Sequence, residues 1–343
     1  MEARTSREAK RKSARSAAVL AAMGLFIVAM FVISMNTGYT RLAPLDVLKT
    51  ILGMGTAKQE LILLQFRLPR IVISILVGAG LAVSGCVLQG LTRNALADPG
   101  ILGINSGAGL MVILFVSFFP TNADAPVYLL PVLAFAGAGL AAALIYVLAF
   151  KRHEGLSPTR LILTGVAVAA GINAAMIVLT LALDPQRYQF VAQWLAGSIW
   201  GSNWSFVSAL FPWLLVLLPF VIWKAGVLNV LNLSEHTAAG LGAPIERERL
   251  MLLGASVGLA GSCVAVSGGI GFVGLIAPHL ARQLVGPRHQ ILLPASALAG
   301  ALLMITADTL ARLIMQPSEI PTGIVVAVIG APYFLYLLAK ARS

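Results

Sequence analysis

Three arginines, Arg67, Arg70 and Arg312, are the residues of this sequence best suited to bind acidic groups. Arg67 and Arg70 belong to the run Arg67-Leu68-Pro69-Arg70, and Arg312 follows a charge-poor stretch further along the chain. A guanidinium group pairs with a carboxylate through two parallel hydrogen bonds. The three arginines are therefore suited to bind an acidic partner protein. Alternatively, their long side chains could snorkel towards the phosphates of lipid headgroups.

A second group of functional candidates lies in the segment that runs from Asn94 through Asp98, Pro99 and Gly100 to Gly103. Asp98 is suited to cap a helix, and Pro99 then occupies the first helical position, where its missing N–H costs nothing. Glycines in this segment allow neighbouring helices to approach closely. Capping and packing explain most of this segment.

A third candidate is a polar segment at about residues 231–249, which is too polar to cross a membrane and too patterned for a plain linker. Ser234 can cap a short helix that ends at Gly240 or Gly242, and Pro244 restarts the chain. Two short helices would form a rigid projection that could transmit force to another protein. An ordered surface loop is the other interpretation of the same pattern.

The sequence gives no support for a catalytic or metal centre. No His, Cys and Asp residues have the spacing of metal ligands, and no Ser/His/Asp set is apparent. No Gly-x-x-x-x-Gly-Lys-Ser/Thr run exists that could cradle the phosphates of ATP. His279 is expected to be a structural hydrogen bonder, and Cys86 and Cys263, which lie in apolar segments, are expected to be buried packing residues.

The composition requires a membrane environment for these residues. Of the 343 residues, 59% are hydrophobic and only 11% are charged, whereas soluble domains have about a quarter of their residues charged. The net charge of +11 comes from short clusters without a continuous basic stripe. It therefore indicates the cytoplasmic face of a membrane protein and argues against nucleic-acid binding.

Charge-free intervals predict an all-α integral membrane protein with about ten transmembrane helices. They cover 16–40, 71–92, 99–123, 125–150, 161–183, 188–223, 250–278, 290–307 and 320–339. The interval 250–278 contains the break Ser267-Gly268-Gly269 and is divided there into two spans. Residues 1–16 form a basic cytoplasmic tail, and residues 17–340 form a single membrane domain. An even number of spans places both termini on the cytoplasmic side, where the basic clusters belong.

This topology places the three arginines on the outer side, against the usual charge bias. It also makes an ion-coupled secondary transporter a poor alternative, because such proteins carry ionisable groups at mid-membrane depth. Here the acidic residues that border spans, Asp98, Asp308 and Glu319, lie near helix ends.

Several motifs resemble the permease family of iron–siderophore and vitamin B12 ABC importers, in family order over nearly the whole chain from about residue 45. They comprise Arg67 to Arg70, Gly85 to Gln89, Asn94 to Gly100, Gly269 to His279, Ala307-Asp308 with Arg312, Glu319 to Gly323 and Gly330 to Phe334. The structural residues within them are Asn94, Asp98, Pro99, Gly100, Gly271, Pro278, His279, Pro321, Gly323 and Pro332.

The resemblance implies a vitamin-B12-permease-like bundle that pairs with a second copy of itself in a bacterial plasma membrane. It implies two cytoplasmic ATPase subunits, which bind ATP and Mg while this chain binds no cofactor. The residues implied to contact the ATPase are Ser234, Glu235, Ala238, Ala239, Leu241 and Gly242. The family's pattern also implies that Arg67, Arg70 and Arg312 hold acidic residues of an extracytoplasmic binding protein. The implied cargo is an iron(III)-siderophore, with haem or cobalamin as alternatives.

Overall fold

The structure is a computed structural model that describes residues 2–38, 43–119, 126–152, 155–233, 245–315 and 318–341. Within these ranges the chain forms thirteen α-helices and one short hairpin. The helices are α1 (Glu2–Asn36), α2 (Pro44–Ile51), α3 (Ala57–Thr92), α4 (Ile104–Phe118), α5 (Leu129–Ala149), α6 (Pro158–Thr180), α7 (Pro185–Leu195), α8 (Trp204–Trp223), α9 (Ala225–Leu231), α10 (Ile245–Ser267), α11 (Val273–Val285), α12 (His289–Ile314) and α13 (Thr322–Ala341). The antiparallel hairpin pairs β1 (Phe150–Lys151) with β2 (Gly155–Leu156).

Eight of the described helices are long and apolar enough to cross a membrane: α1 from Ala14 onwards, α3, α5, α6, α8, α10, α12 and α13. The two other predicted spans correspond to α4 and α11, which have 15 and 13 residues. At 1.5 Å per residue, both are shorter than the roughly 30 Å hydrocarbon core. Each follows a segment that is not α-helical: the 3-10 turn Pro99–Leu102 before α4 and residues 268–272 before α11.

The interval 188–223, predicted as one apolar stretch, contains parts of two helices. Helix α7 ends at Leu195, and α8 begins at Trp204 after Asn203 caps its first N–H groups. Gly197 and Gly201 between them have positive φ, a backbone conformation that favours glycine and interrupts a helix. Hydropathy alone cannot reveal such a break, because the intervening residues remain uncharged.

Helix α3 is central to the bundle and packs against α10, α11 and α12. A Cβ atom at Gly78 would lie 2.6 Å from the carbonyl carbon of Gly300 in α12, and one at Gly85 would lie 2.5 Å from that of Gly274 in α11. The backbones therefore touch at these crossings, as small residues permit in membrane helices. Cys86 and Cys263 are fully buried in this core.

Segments predicted to be cytoplasmic lie together at one end of the bundle. Lys224 Nζ is 2.7 Å from Glu248 Oε1, and Arg249 Nη1 donates to the Leu156 carbonyl over 3.2 Å. These contacts join the ends of α8 and α10 to the hairpin that follows α5. Arg67, Arg70 and Arg312 lie at the opposite end of the bundle, on α3 and α12, as the predicted topology requires.

Candidate functional site

The outer end of α3 positions the first two arginines. Residues Leu61–Arg67 form a π-helical segment within α3, and Arg70 follows three residues after its end, on the same face as Arg67. Pro69 has no N–H to offer the carbonyl four residues before it, so the regular helical pattern is interrupted at this point. Arg312 lies in the last turn of α12.

Arg70 is held by two carboxylates of the same chain. Its Nε and Nη2 atoms lie 2.9 and 2.8 Å from Asp308 Oδ1 on α12, and its Nη1 atom lies 2.6 Å from Glu319 Oε2 in the segment before α13. The guanidinium group therefore fastens α3 to α12 and to the start of α13.

Asp308 also binds the third arginine. Its Oδ2 atom is 3.2 Å from Arg312 Nε, and its Oδ1 atom accepts a hydrogen bond from the Thr322 hydroxyl over 3.3 Å. Arg312 donates to the Thr37 carbonyl over 3.0 Å and contacts the Ser34 hydroxyl. One buried carboxylate thus connects α12 with α3 and α13, while Arg312 reaches the end of α1.

Arg67 completes the group through the same end of α1, where its Nη1 atom donates to the Met35 carbonyl over 2.7 Å. We call Arg67, Arg70, Arg312, Asp308 and Glu319 the outer charge cluster. Its three cations and two anions leave one positive charge in excess. An additional carboxylate from outside would therefore be attracted to it.

Burial distinguishes the members of the outer charge cluster. Arg67, Arg70 and Arg312 are between 6% and 9% exposed, and the Asp308 side chain is fully buried. The Glu319 side chain, at 29%, is the most accessible. The sequence identified Asp308 and Glu319 as acidic residues near helix ends and as members of family motifs, without indicating a role for them. Their pairing with Arg70 was missed, and the arginines are recessed rather than projecting.

The segment 94–103 contains the predicted cap at Asp98, followed by Pro99, but the cap belongs to a short 3-10 turn. Asp98 Oδ1 accepts from the Gly100 N–H over 2.8 Å and caps the 3-10 turn rather than α4 itself, and Asn94 Oδ1 accepts from the Leu96 N–H over 2.9 Å. Buried Gln89 donates to the Ala97 and Gly274 carbonyls. The segment is thereby fixed between α3 and the start of α11.

Three breaks between helices contact one another: residues 196–203 between α7 and α8, residues 268–272 before α11, and the start of α13. Gly323, at the start of α13, donates from its N–H to the Gly197 carbonyl over 2.8 Å, and the Gly269 N–H donates to the Trp194 carbonyl over 3.3 Å. Such irregular backbone is tolerated in a membrane protein where protein groups satisfy its polar atoms. Phe272, in the break before α11, has a φ of 67°.

The other predicted motif residues occupy these same breaks and the helices that follow them. Gly271 lies in the break, Pro278 lies within α11, Pro321 immediately precedes α13 and Pro332 lies within it. His279 Nε2 is 2.9 Å from Gln283 Nε2 one turn later on α11. This is the kind of structural hydrogen bond that the sequence predicts for a lone histidine.

Residues 234–244, which include Ser234, Glu235, Ala238, Ala239, Leu241 and Gly242, lie outside the described residues. The helices on either side of this segment are described. Lys224, just before α9, and Glu248, in the first turn of α10, form the ion pair noted above and are both buried. The start of α9 is therefore anchored to the first turn of α10.

Comparison with known proteins identifies the architecture. The sequence profile of the FecCD transport family matches residues 25–340. The chain belongs to the FecCD transport family. A solved structure described as an inward-facing conformation of a metal-chelate-type ABC transporter aligns with a TM-score of 0.82 at 34% identity, over 94% of this chain and 99% of that one. The predicted family resemblance and all-α membrane fold are confirmed.

Curated relatives match this permease over most of their lengths. The iron(3+)-hydroxamate import system permease protein FhuG of Bacillus subtilis (strain 168) is 51% identical over 337 residues, which cover 97% of this chain and all of the relative. The Fe(3+)-citrate import system permease protein YfmE of the same organism is 45% identical, with 96% of each chain covered. The hemin transport system permease protein HmuU of Yersinia pestis is 42% identical over 82% of this chain and 84% of the relative. This FecCD chain is a multi-pass membrane permease subunit and not the ATPase of its importer.

Proposed function

We propose that this FecCD permease carries iron(III)-hydroxamate siderophores into the bacterial cytoplasm as the membrane-spanning subunit of an ATP-driven importer. The observation that supports this function best is the 51% identity with the hydroxamate permease of Bacillus subtilis over the whole of that protein. The citrate and hemin permeases are less similar, and the match to the hemin permease covers less of the chain. Citrate or haem chelates are therefore the second choice.

We propose one partner protein at each end of the bundle and, in addition, a second copy of the chain. The segment 234–244 would contact a separate ATPase, which supplies the ATP site and Mg. The outer charge cluster would receive an acidic surface of a substrate-binding protein. A second copy of the chain would complete the translocation path across a two-fold axis.

The outer charge cluster suggests how docking would proceed. Because Arg70 already has two carboxylate partners within the chain, an incoming carboxylate must compete with one of them. Glu319 is the partner that can be displaced, since its side chain is partly exposed, whereas Asp308 is fully buried and also holds Arg312. Docking would then exchange one carboxylate for another with little net change in buried charge.

Replacing Glu319 with glutamine is expected to strengthen binding of the substrate-binding protein by about threefold to tenfold, because the competing charge is lost. The double reversal of Arg67 and Arg70 to glutamate is expected to abolish that binding. Affinities would be measured on permease in nanodiscs at several salt concentrations, and added salt should weaken wild-type docking. Glu60→Gln, a neutralisation near the same end of α3, is the control and should change neither quantity.

Unchanged affinity for Glu319→Gln, together with wild-type affinity for a correctly inserted Arg67→Glu/Arg70→Glu variant, would show that these arginines have no role in docking. Recovery of binding by a charge reversal on the binding protein would identify the paired residue directly.

The proposed function is tested by complementation in cells that lack their own hydroxamate permease but keep the ATPase and binding protein. This chain is expected to restore growth on iron(III)-hydroxamate as sole iron source. Glu235→Arg, or Gly242 replaced by tryptophan, should insert normally yet fail to support uptake, because each alters the surface proposed to fit the ATPase. Lys151→Glu, a reversal in the hairpin at the same end of the bundle, is the control. Normal uptake by both variants would show that the segment 234–244 is only a linker.

A further inference from the structure

Asn229 joins α9 to the first two residues of α12 through three hydrogen bonds. Its Oδ1 atom accepts from the His289 backbone N–H over 3.1 Å and lies 2.8 Å from Nδ1 of the same histidine. Its Nδ2 group donates to Gln290 Oε1 over 2.8 Å. One amide side chain thus uses both its acceptor and its donor on a single helix end.

Helix α9 lies next to the segment proposed to contact the ATPase. It ends at Leu231, three residues before residue 234, and Leu228 on the same helix is fully buried. The Leu231 carbonyl accepts from Arg93 Nε at the end of α3 over 3.1 Å. A displacement of the segment 234–244 would therefore reach α9 before any other described element on its N-terminal side.

His289 offers a firm attachment point on α12. The residue is 1% exposed, and a Cβ atom at Gly90 of α3 would lie only 3.2 Å from its Nε2 atom. The ring is therefore closely confined on the side that faces α3. A movement of Asn229 would therefore displace α12 instead of being absorbed by rotation of the ring.

Helix α12 connects this contact with the outer charge cluster. It extends for 26 residues from His289 to Ile314, with Pro294 in its second turn, and carries Asp308 and Arg312 near its far end. At 1.5 Å per residue, Asp308 lies about 28 Å from His289 along the helix axis. A single helix therefore has Asn229 attached at one end and the carboxylate partner of Arg70 near the other.

We propose that Asn229 is a positioning residue that couples α9 to α12, so that movement at the ATPase-facing end reaches the outer charge cluster. The inference rests on the proposed function, because it requires an ATPase at the segment 234–244. An amide suits the role, since it accepts from His289 and donates to Gln290 at once. Aspartate would keep the acceptor, whereas leucine would keep the volume and lose every bond.

The test measures uptake and ATP hydrolysis together, in proteoliposomes that contain the full complex of permease, ATPase and binding protein. Asn229→Leu is expected to lower the iron chelate transported per ATP hydrolysed by about tenfold, with the ATPase rate close to wild type. Asn229→Asp should retain most of the coupling. Asn232→Leu is the matched control, because its exposed side chain lies nearby and has no hydrogen bond to α12 in the described residues.

Two results would overturn the proposal. Unchanged transport per ATP in Asn229→Leu would show that the contact carries no coupling. If the leucine and aspartate variants both lost uptake, ATPase rate and assembled complex in parallel, the Asn229 contact would contribute to stability alone. Failure of the wild-type complex to transport any iron chelate would instead refute the proposed function, so the two failures are distinguishable.

Discussion

Replacing Asp308 with leucine is expected to lower the free energy of unfolding of the permease by about 3–5 kcal/mol, the usual cost of removing one partner from a buried ion pair. The Asp308 side chain is fully buried and lies 2.8 Å from Arg70 and 3.2 Å from Arg312. Its loss leaves two buried guanidinium groups with much less compensating charge. Thermal unfolding of the detergent-solubilised protein would measure the effect.

Asp184→Asn is the control for this prediction. Asp184 caps α7 at the same end of the bundle and pairs with Arg187 over 3.1 Å, but its side chain is 53% exposed. An exposed pair of this kind contributes about 0.2–1 kcal/mol. Equal effects of the two substitutions would contradict the central position that we assign to Asp308.

Gly85→Ala is the second substitution expected to have a large effect. The added methyl group would overlap the Gly274 carbonyl, which belongs to the backbone of α11 and cannot rotate away as a side chain could. Helices α3 and α11 must then separate, at a cost of about 1–3 kcal/mol or more. We expect a lower unfolding temperature and a reduced yield of folded permease.

Gly171→Ala adds the same methyl group to α6 at an exposed position with no atom within 4 Å of the new Cβ. This control should behave like the wild type in both measurements. Wild-type stability of Gly85→Ala would show that α3 and α11 do not make the close contact described here.

The sequence predicts the membrane-spanning elements well because the physical signal is local. An ionised side chain in hydrocarbon is costly, so charge-free intervals correspond to the helices. The break within 250–278 was visible as Ser267-Gly268-Gly269, and the structure places it between α10 and α11. The separation of α7 from α8 was not visible, because residues 196–203 carry no charge.

The outer charge cluster shows where sequence reasoning fails. Arg70 and Asp308 are 238 residues apart in the chain, so no local pattern indicates that they form a pair. The sequence therefore predicted arginines available to a partner, whereas in the structure their nearest carboxylates belong to the same chain. The cap formed by Asp98 was predictable, because its acceptor and the Gly100 N–H are two residues apart.

The Asn229 contact was missed for the same reason. Asn229 and His289 lie 60 residues apart, and neither residue stands out in a cytoplasmic region that contains other polar side chains. The family comparison does not reveal the contact either, because similarity over the whole chain does not single out pairs. Only the packing of α9 against the start of α12 brings these two residues together.

The most direct test of the account is uptake by the purified complex in proteoliposomes. With ATP inside and the binding protein outside, iron(III)-hydroxamate should accumulate, faster than iron(III)-citrate or haem and at a rate that a proton gradient does not change. Uptake that proceeds without ATP, or that a proton gradient drives in the absence of the ATPase, would contradict the assignment as an ATP-driven importer permease.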